Sequence, residues 1–380
     1  MKLIHIPQGN IPSLWAHSFQ SMKMAEAWNR HVDDFTLLTR AHWKVLEGPR
    51  WDFESWYGIR DPFRIVQLGS HDAPPDGLFT KVWPKGFDKD SVDYALDHGA
   101  DLVFTRLPKA ALRCVEHGLP AILEEHSDRN EQFEDLRRAA QSPLLEAVVT
   151  ISDVLRRGFA KAGVPEEKIL VWPDAVDLES FDVARDRTAL RRDLGLPVDR
   201  WIAVYCGHLY PDRGVEQILE AAAETPDVFF LLVGGWDRDV AERRRQSRHL
   251  ANVSLTGFVE NRKVPFYLAS ADAVLVPYSA RCRTARWMSP LKLFEAMASR
   301  RPIVATDLPA IRRHLEDGRN ALLVDCDQAP ALASAIRRLR DRPALAAALA
   351  AAAYEDVKGW TWDRRVRAIL RFVRQRPTSP

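Results

Sequence analysis

Short continuous apolar runs alternate along this chain with segments whose apolar residues return at helical spacing. In the first half the apolar runs fall at residues 2–6, 35–38, 101–105, 121–123, 147–151 and 169–172. Helical spacing occupies 13–30, 109–117, 130–140 and 153–162. The second half alternates more cleanly. Its strands are predicted at 201–206, 228–233, 253–256, 273–276, 303–305 and 321–324. Its helices are predicted at 215–223, 240–249, 264–269, 290–299, 311–315 and 328–340. The alanine-rich stretch 344–353 is helical by propensity, and 362–373 is amphipathic with Val366, Ile369, Leu370 and Val373 on one face. Strands separated by single helices imply an α/β fold of doubly wound parallel sheets. Two such series predict two Rossmann-like domains facing each other across a cleft: residues 1–178 and residues 179–358, followed by a helical segment at 359–380. The polar segment 178–200 reads as the join. Between residues 40 and 83 the alternation breaks into Pro, Gly and aromatics with interleaved cations.

Composition narrows the class. A chain of 380 residues exceeds what one core usually supports. Lys+Arg 54 against Asp+Glu 52 leaves no footprint for nucleic acid. No apolar run approaches the roughly 18 residues that span a bilayer. The start, Met1 to Pro7, reads as a first strand and not as a signal peptide. Cys114, Cys206, Cys282 and Cys326 are too far apart in sequence to suggest a disulfide framework or a zinc site. The expected location is cytoplasmic, with peripheral contact at the inner membrane face left open. Half of the twelve tryptophans (Trp15, Trp28, Trp43, Trp51, Trp56 and Trp83) precede residue 90. Such residues suit sugar stacking, a membrane interface or plain packing of a long insertion.

The stretch Ser289-Pro290-Leu291-Lys292-Leu293-Phe294-Glu295 carries the densest chemistry. Ser289 reads as an N-cap and Pro290 as the first helical residue, directly after the strand-and-loop at 273–288. The free amides of Leu291 and Lys292, the helix dipole and the Lys292 ammonium all favour a phosphate there. Glu295, one turn on, has the acceptors for a ribose diol; the plain alternative is a Glu that complements the dipole. Gly207 to Gly214 follows the first strand of the second domain. Gly207 allows close backbone approach and Arg213 can reach a phosphate, but the loop is no GxGxxG fingerprint. Gly9-Asn10 is turn chemistry at the carboxyl end of the first strand, where open α/β sheets bind ligands. His126 ends a strand where it can meet a substrate hydroxyl. Asp237/Asp239 and Asp325/Asp327 read as helix N-caps and not as metal ligands, so no metal is expected. Arg243-Arg244-Arg245 reads as a solvated helix face.

Together these stretches resemble the retaining glycosyltransferases of family 4 (glycosyl transferases group 1), which have the GT-B fold. The resemblance is strongest from 201 to 323. Relative to the family loop, His208 stands where Arg is usual and Arg213 where Lys is usual. It implies that Gly257, Phe258 and Val259 meet the nucleotide base through their backbone. It also implies that Glu295 binds the ribose and that His126 contacts the donor sugar. Trp287 stands where the family's first Glu is expected. That departure resembles a branch whose loop reads Ser-Pro-Leu-Lys-Leu-Phe-Glu, in which Ser289 and Lys292 take over donor contacts. Residues 172–177 resemble the family's hinge, with Asp174 and Ala175 in place of Asn and Gly.

The implied reaction moves a sugar, with retention, from a nucleotide diphosphate sugar to a hydroxyl of a glycan, lipid-linked or small-molecule acceptor. Polysaccharide or glycoconjugate synthesis is the expected setting. His126, Arg213 and Lys292 carry the catalytic expectation, with Gly9, Asn10, Gly207, His208, Phe258, Val259, Ser289, Leu291 and Glu295 as donor-binding residues. The donor is a co-substrate, and neither cofactor nor metal is expected. Two rivals share the architecture: a nucleotide-sugar 2-epimerase, and a catalytically silent sugar-nucleotide scaffold.

Overall fold

The computed structural model describes residues 1–13, 15–42, 52–71, 86–128 and 133–375. The chain divides into two compact units: Met1–Asp174 with Trp362–Pro380, and Ala175–Thr361. The divisions fall at Asp174 and Thr361, where the sequence suggested 178 and 358. The backbone gives the reason: the Val176 amide donates to the Trp360 carbonyl at 3.0 Å, so both hinge strands close onto the second unit.

Unit 1 holds β1 (Lys2–Ile6), β2 (Asp34–His42), β3 (Arg64–His71), β4 (Leu102–Thr105), β5 (Ala121–Glu124), β6 (Leu145–Thr150) and β7 (Ile169–Val171). They form one parallel sheet in the order β3-β2-β1-β4-β5-β6-β7. Its helices are α1 (Ala16–Asn29), α2 (Phe53–Tyr57), α3 (Phe87–Asp97), α4 (Pro108–Glu116), α5 (Phe133–Gln141) and α6 (Asp153–Lys161). After the excursion into unit 2, α14 (Trp362–Gln375) closes the unit, packed on α1 and β6.

Unit 2 holds β8 (Trp201–Cys206), β9 (Val228–Val233), β10 (Val253–Gly257), β11 (Ala273–Val276), β12 (Ile303–Thr306) and β13 (Leu322–Val324). Its sheet runs β10-β9-β8-β11-β12-β13, all parallel. The helices are α7 (Arg187–Asp193), α8 (Val215–Glu224), α9 (Asp237–Gln246), α10 (Val264–Ser270), α11 (Leu291–Ala298), α12 (Ala329–Asp341) and α13 (Pro343–Val357). Burial on both faces explains the continuous apolar runs. Along β8, Ile202, Val204 and Cys206 join one core, with Leu293, Phe294 and Met297 of α11. Ala203 and Tyr205 join the core on the other face, with Val215 and Ile218 of α8. In both sheets the strand order reverses at the first strand of the unit, β1 or β8. The carboxyl ends beside it form the crevice where such sheets take ligands.

Several sequence expectations need correction. β2 is a nine-residue strand, about twice the length read from its apolar run, because Thr39, Ala41 and His42 continue the pairing with β3 past a register shift at Arg40. β3, α2 and α3 lie in or beside the stretch that looked irregular. Trp43, Trp51 and Trp83 fall outside the described residues, while Trp56 sits in α2. The 178–200 join contains α7, capped by Asp186, and buried Arg191 ties it to Asp272 at 2.6 Å and to the Ser270 carbonyl at 2.9 Å. Residues 311–315 form turns and not a helix: the Ile311 amide bonds back to Leu308, three residues away, and the chain turns again by Asn320.

Candidate functional site

The crevice of unit 2 is built by two loops, one after β8 and one after β11. Gly207 leaves β8 with φ +142°. A side chain there would press on Lys292, its Cβ lying 2.9 Å from Cε. Glycine is therefore what lets the Lys292 ammonium lie against the loop backbone. Gly214 ends the loop at φ +74°, and a Cβ there would overlap the Pro277 carbonyl. The Gly207 amide donates to Val233 at 2.9 Å, and the Gly234 amide donates to Gly257 at 2.9 Å. The backbones leaving β8, β9 and β10 are thereby locked side by side.

The loop after β11 is pinned at several points. Ser279 donates from its amide to the Asp212 carbonyl at 3.2 Å and from its hydroxyl to Asp327 at 3.0 Å. Asp327 also accepts from the Ala280 amide at 3.0 Å and has φ +57°. It is a loop anchor, and the N-cap of α12 is Gln328. Asp237 and Asp239 lie inside the first turn of α9, whose N-cap is Trp236, so neither pair acts as the expected caps. α11 begins at Leu291 with Pro290 as N-cap and no side-chain capping bond. The expected Ser289 cap is displaced by one residue, and Ser289 is buried before the helix starts. The Pro290 carbonyl accepts the Leu293 amide at 2.9 Å, but proline has no side-chain acceptor, so the positive end of α11 carries no side-chain cap from it.

Two cations meet here on tyrosine rings. Lys292 Nζ donates to the Tyr205 hydroxyl at 2.8 Å and lies 4.3 Å from the Tyr205 ring centroid and 5.2 Å from that of Tyr278. The Arg213 guanidinium lies 5.3 Å from the same Tyr278 ring and donates to Cys282 Sγ at 3.3 Å. Tyr205 in turn donates to the His208 carbonyl at 2.6 Å. Burial, reinforced by Arg213, brings the Lys292 ammonium down to about 7. Burial raises the Glu295 carboxyl to about 7 although Lys292 draws it back.

Beside them runs an aromatic series. His208 stacks on Tyr210 (4.9 Å, 11°) and leans on Trp236 (5.1 Å), whose Nε1 donates to the Tyr210 hydroxyl at 2.8 Å. The Trp236 and Phe258 planes are parallel within 3° at 6.4 Å, and Phe258 is 40% exposed. Val259 follows, half-buried against the core. Arg243 is not a solvated residue. It is buried, donates to the Leu209 carbonyl at 3.1 Å and pairs with Glu216 at 2.7 Å, so it holds the Gly207–Gly214 loop from beneath. Arg243→Ala is expected to lower stability by about 1.5–3 kcal/mol. It should also loosen the loop, seen as a lower melting temperature together with weaker UDP binding by calorimetry.

Unit 1 gathers a second polar cluster at the carboxyl ends of its strands. Gly9 has φ +78°, and the buried Asn10 has an Oδ1 without a partner among the described residues. His126 Nε2 lies 2.6 Å from Glu124 Oε1. Burial, with Arg106 nearby, keeps the His126 ring below its usual range. Burial lifts Glu125 to about 7. Glu124 is buried and held by a two-pronged pair with Arg365, both contacts 3.1 Å, and by Gln20 at 2.7 Å. Burial alone would raise Glu124, yet Arg365 and His126 hold it well below the carboxylate range. Glu124, His126 and Asp174 offer ligand atoms within 4.8 Å of one another, a grouping the sequence did not suggest. Its carboxylate at Glu124 is already neutralised by Arg365, which opposes a second cation.

The sequence-selected Gly207, His208, Arg213, Phe258, Val259, Leu291, Lys292 and Glu295 thus share one end of the unit 2 sheet. Gly9, Asn10 and His126 belong to unit 1. Tyr205, Tyr278 and Trp236 were missed, and Asp327, read as a cap, anchors the loop after β11 instead. Only Tyr205, two residues before the loop glycine, carried a local hint.

Residues 200–342 match the family model described as glycosyl transferases group 1. The alpha-D-kanosaminyltransferase of Streptomyces kanamyceticus is 29% identical over 251 residues, covering 60% of this chain and 63% of that protein. The D-inositol 3-phosphate glycosyltransferase of Xylanimonas cellulosilytica is 29% identical over 220 residues, 55% of this chain and 51% of that protein. The chain therefore spans between about half and two thirds of these relatives' length. Among solved structures, Anabaena HepE in complex with UDP-glucose is similar at a TM-score of 0.73 and 19% identity, over 98% of this chain and 99% of the other. That likeness shows the fold, which is GT-B.

Proposed function

We propose, from the match of residues 200–342 to the family model described as glycosyl transferases group 1, that the chain transfers a glycosyl group from a nucleotide diphosphate sugar to a hydroxyl, with retention at the anomeric carbon. The observation that carries this reading is the pair Arg213 and Lys292, mounted on Tyr205 and Tyr278 beside the open N-terminus of α11. Negative charge accumulates on the diphosphate as it departs from an oxocarbenium-like sugar. Two fixed cations and a helix N-terminus in a buried site stabilise that charge without reorganising. HepE, whose fold this chain shares, was solved with UDP-glucose, which supports a donor of that class.

Glu295 is assigned to the ribose diol. Its burial keeps it partly protonated near pH 7, and two ribose hydroxyls would supply hydrogen-bond donors to its carboxylate. Because its folded pKa is raised, its stability contribution is complete below about 4.5 and is lost as pH rises through about 7. Glu295→Gln should therefore remove the 4.5–7 slope in stability. It should also weaken donor binding by roughly 1.5–3 kcal/mol, about ten- to a hundred-fold. Calorimetry with UDP and its 2′-deoxy analogue, after a thermal-shift screen of UDP-, GDP-, ADP- and dTDP-sugars, checks this. Wild type binding both forms equally would remove the ribose assignment. Release of nucleoside diphosphate from a donor with an acceptor mixture, and without a divalent cation, tests transfer itself.

A further inference from the structure

α14 has two unlike faces. Trp362, Val366 and Ile369 are buried, with Arg365, against unit 1, so its apolar side is already used. Arg364, Arg367, Arg371 and Arg374 recur at intervals of three, four and three residues, which aligns them along the other side. All four are exposed. Arg367, Arg371 and Arg374 make no hydrogen bond or ion pair among the described residues. The helix has one acid, Asp363, and it is occupied by Arg30 at 3.0 Å and His31 at 3.1 Å. The row runs about 15 Å along the helix, and the helix places no carboxylate between its arginines.

We propose that this row docks unit 1 on a membrane surface bearing anionic phospholipids. A straight ridge of guanidinium groups can meet many phosphates of a plane at once, and each planar fork can bond a phosphate bidentately. A single-stranded nucleic acid fits less well. It needs a groove with aromatic side chains for base stacking, and none stands in the row. With the apolar face packed inward the contact is electrostatic and not insertional, so it is steeply salt-dependent. This inference stands on unit 1 alone and does not depend on the transfer reaction.

The test uses the full chain and sedimented vesicles of phosphatidylcholine with or without phosphatidylglycerol. Wild type should bind only the anionic vesicles and be released near 1 M salt, where the screening length is about 3 Å. Replacing Arg367, Arg371 and Arg374 together by Gln should weaken partitioning roughly a hundredfold, at about fivefold per charge near the surface. Melting temperature and UDP affinity should stay unchanged. Removing the same net charge from unit 2, with Arg238, Arg245 and Arg248 all changed to Gln, should leave vesicle binding intact. The proposal is overturned by equal binding to neutral vesicles, by a triple variant that binds as wild type does, or by equal losses in both triple variants. Wild type that ignores anionic vesicles but binds heparin or single-stranded RNA would equally overturn it.

Discussion

Arg365→Met is expected to cost about 3–5 kcal/mol, because it strands the fully buried Glu124 carboxylate without its cation. Arg365 also donates to the Pro173 carbonyl at 3.0 Å, so one side chain joins α14, β5 and the strand leaving unit 1. The penalty should depend on pH. In wild type the folded pKa of Glu124 is depressed, so its contribution is present above the unfolded value near 4.5 and is lost as pH falls through the folded value. Without Arg365, burial dominates and the carboxyl swings upward. The variant should then be least impaired near pH 4, where Glu124 can be neutral, and most impaired above pH 7. Changing both partners to apolar residues should recover most of the loss, since a well-packed apolar pair can replace a buried ion pair at little cost. Thermal melts of the two single variants and the double variant across pH check all of this. A single variant as stable as wild type at pH 7 would mean that the pair does not anchor α14.

Lys292→Met is expected to weaken UDP binding at pH 7 by about ten- to a hundred-fold, the worth of one charge-assisted bond to phosphate. A second signature separates this from a loss of shape. The folded pKa of Lys292 is depressed to about 7. Its contribution to stability is therefore full above the unfolded value near 10.5 and is lost as pH falls through about 7. A dianionic diphosphate placed against the ammonium reverses that depression. Between about pH 7 and 10 binding should take up close to one proton, and affinity should fall as pH rises. Calorimetry in buffers of different ionisation enthalpy measures the uptake directly. Wild type should show it and Lys292→Met should not. Equal buffer dependence in both would place the proton on another group.

Much of the scaffold was legible before any coordinates. Buried parallel strands must be apolar on both sides, so β8, β9 and β11 announce themselves as runs, and their helices as periodic segments. The reading of Gly207, Arg213 and Lys292 as a phosphate site, which we propose, was equally local, because a glycine after a strand and a cation at a helix start act through their neighbours in sequence. Other features were invisible because they depend on which distant residue closes on which. Arg243 looked like part of a solvated run, yet it is buried against Leu209, thirty-four positions away. Ser289 looked like a cap, but α11 starts one residue later than expected, with Pro290 at its N-cap. The length of β2 and the existence of β3 came from pairing that no apolar run signalled. The sequence by itself determined two doubly wound sheets and the carboxyl-end loops that carry the chemistry, because periodicity and turn chemistry are local. Only the tertiary structure decided that Lys292 rests on Tyr205, eighty-seven residues earlier, and that Arg365 neutralises Glu124, two hundred and forty-one residues earlier. Charge stabilisation in a buried site depends on distance in space, and no local pattern encodes it.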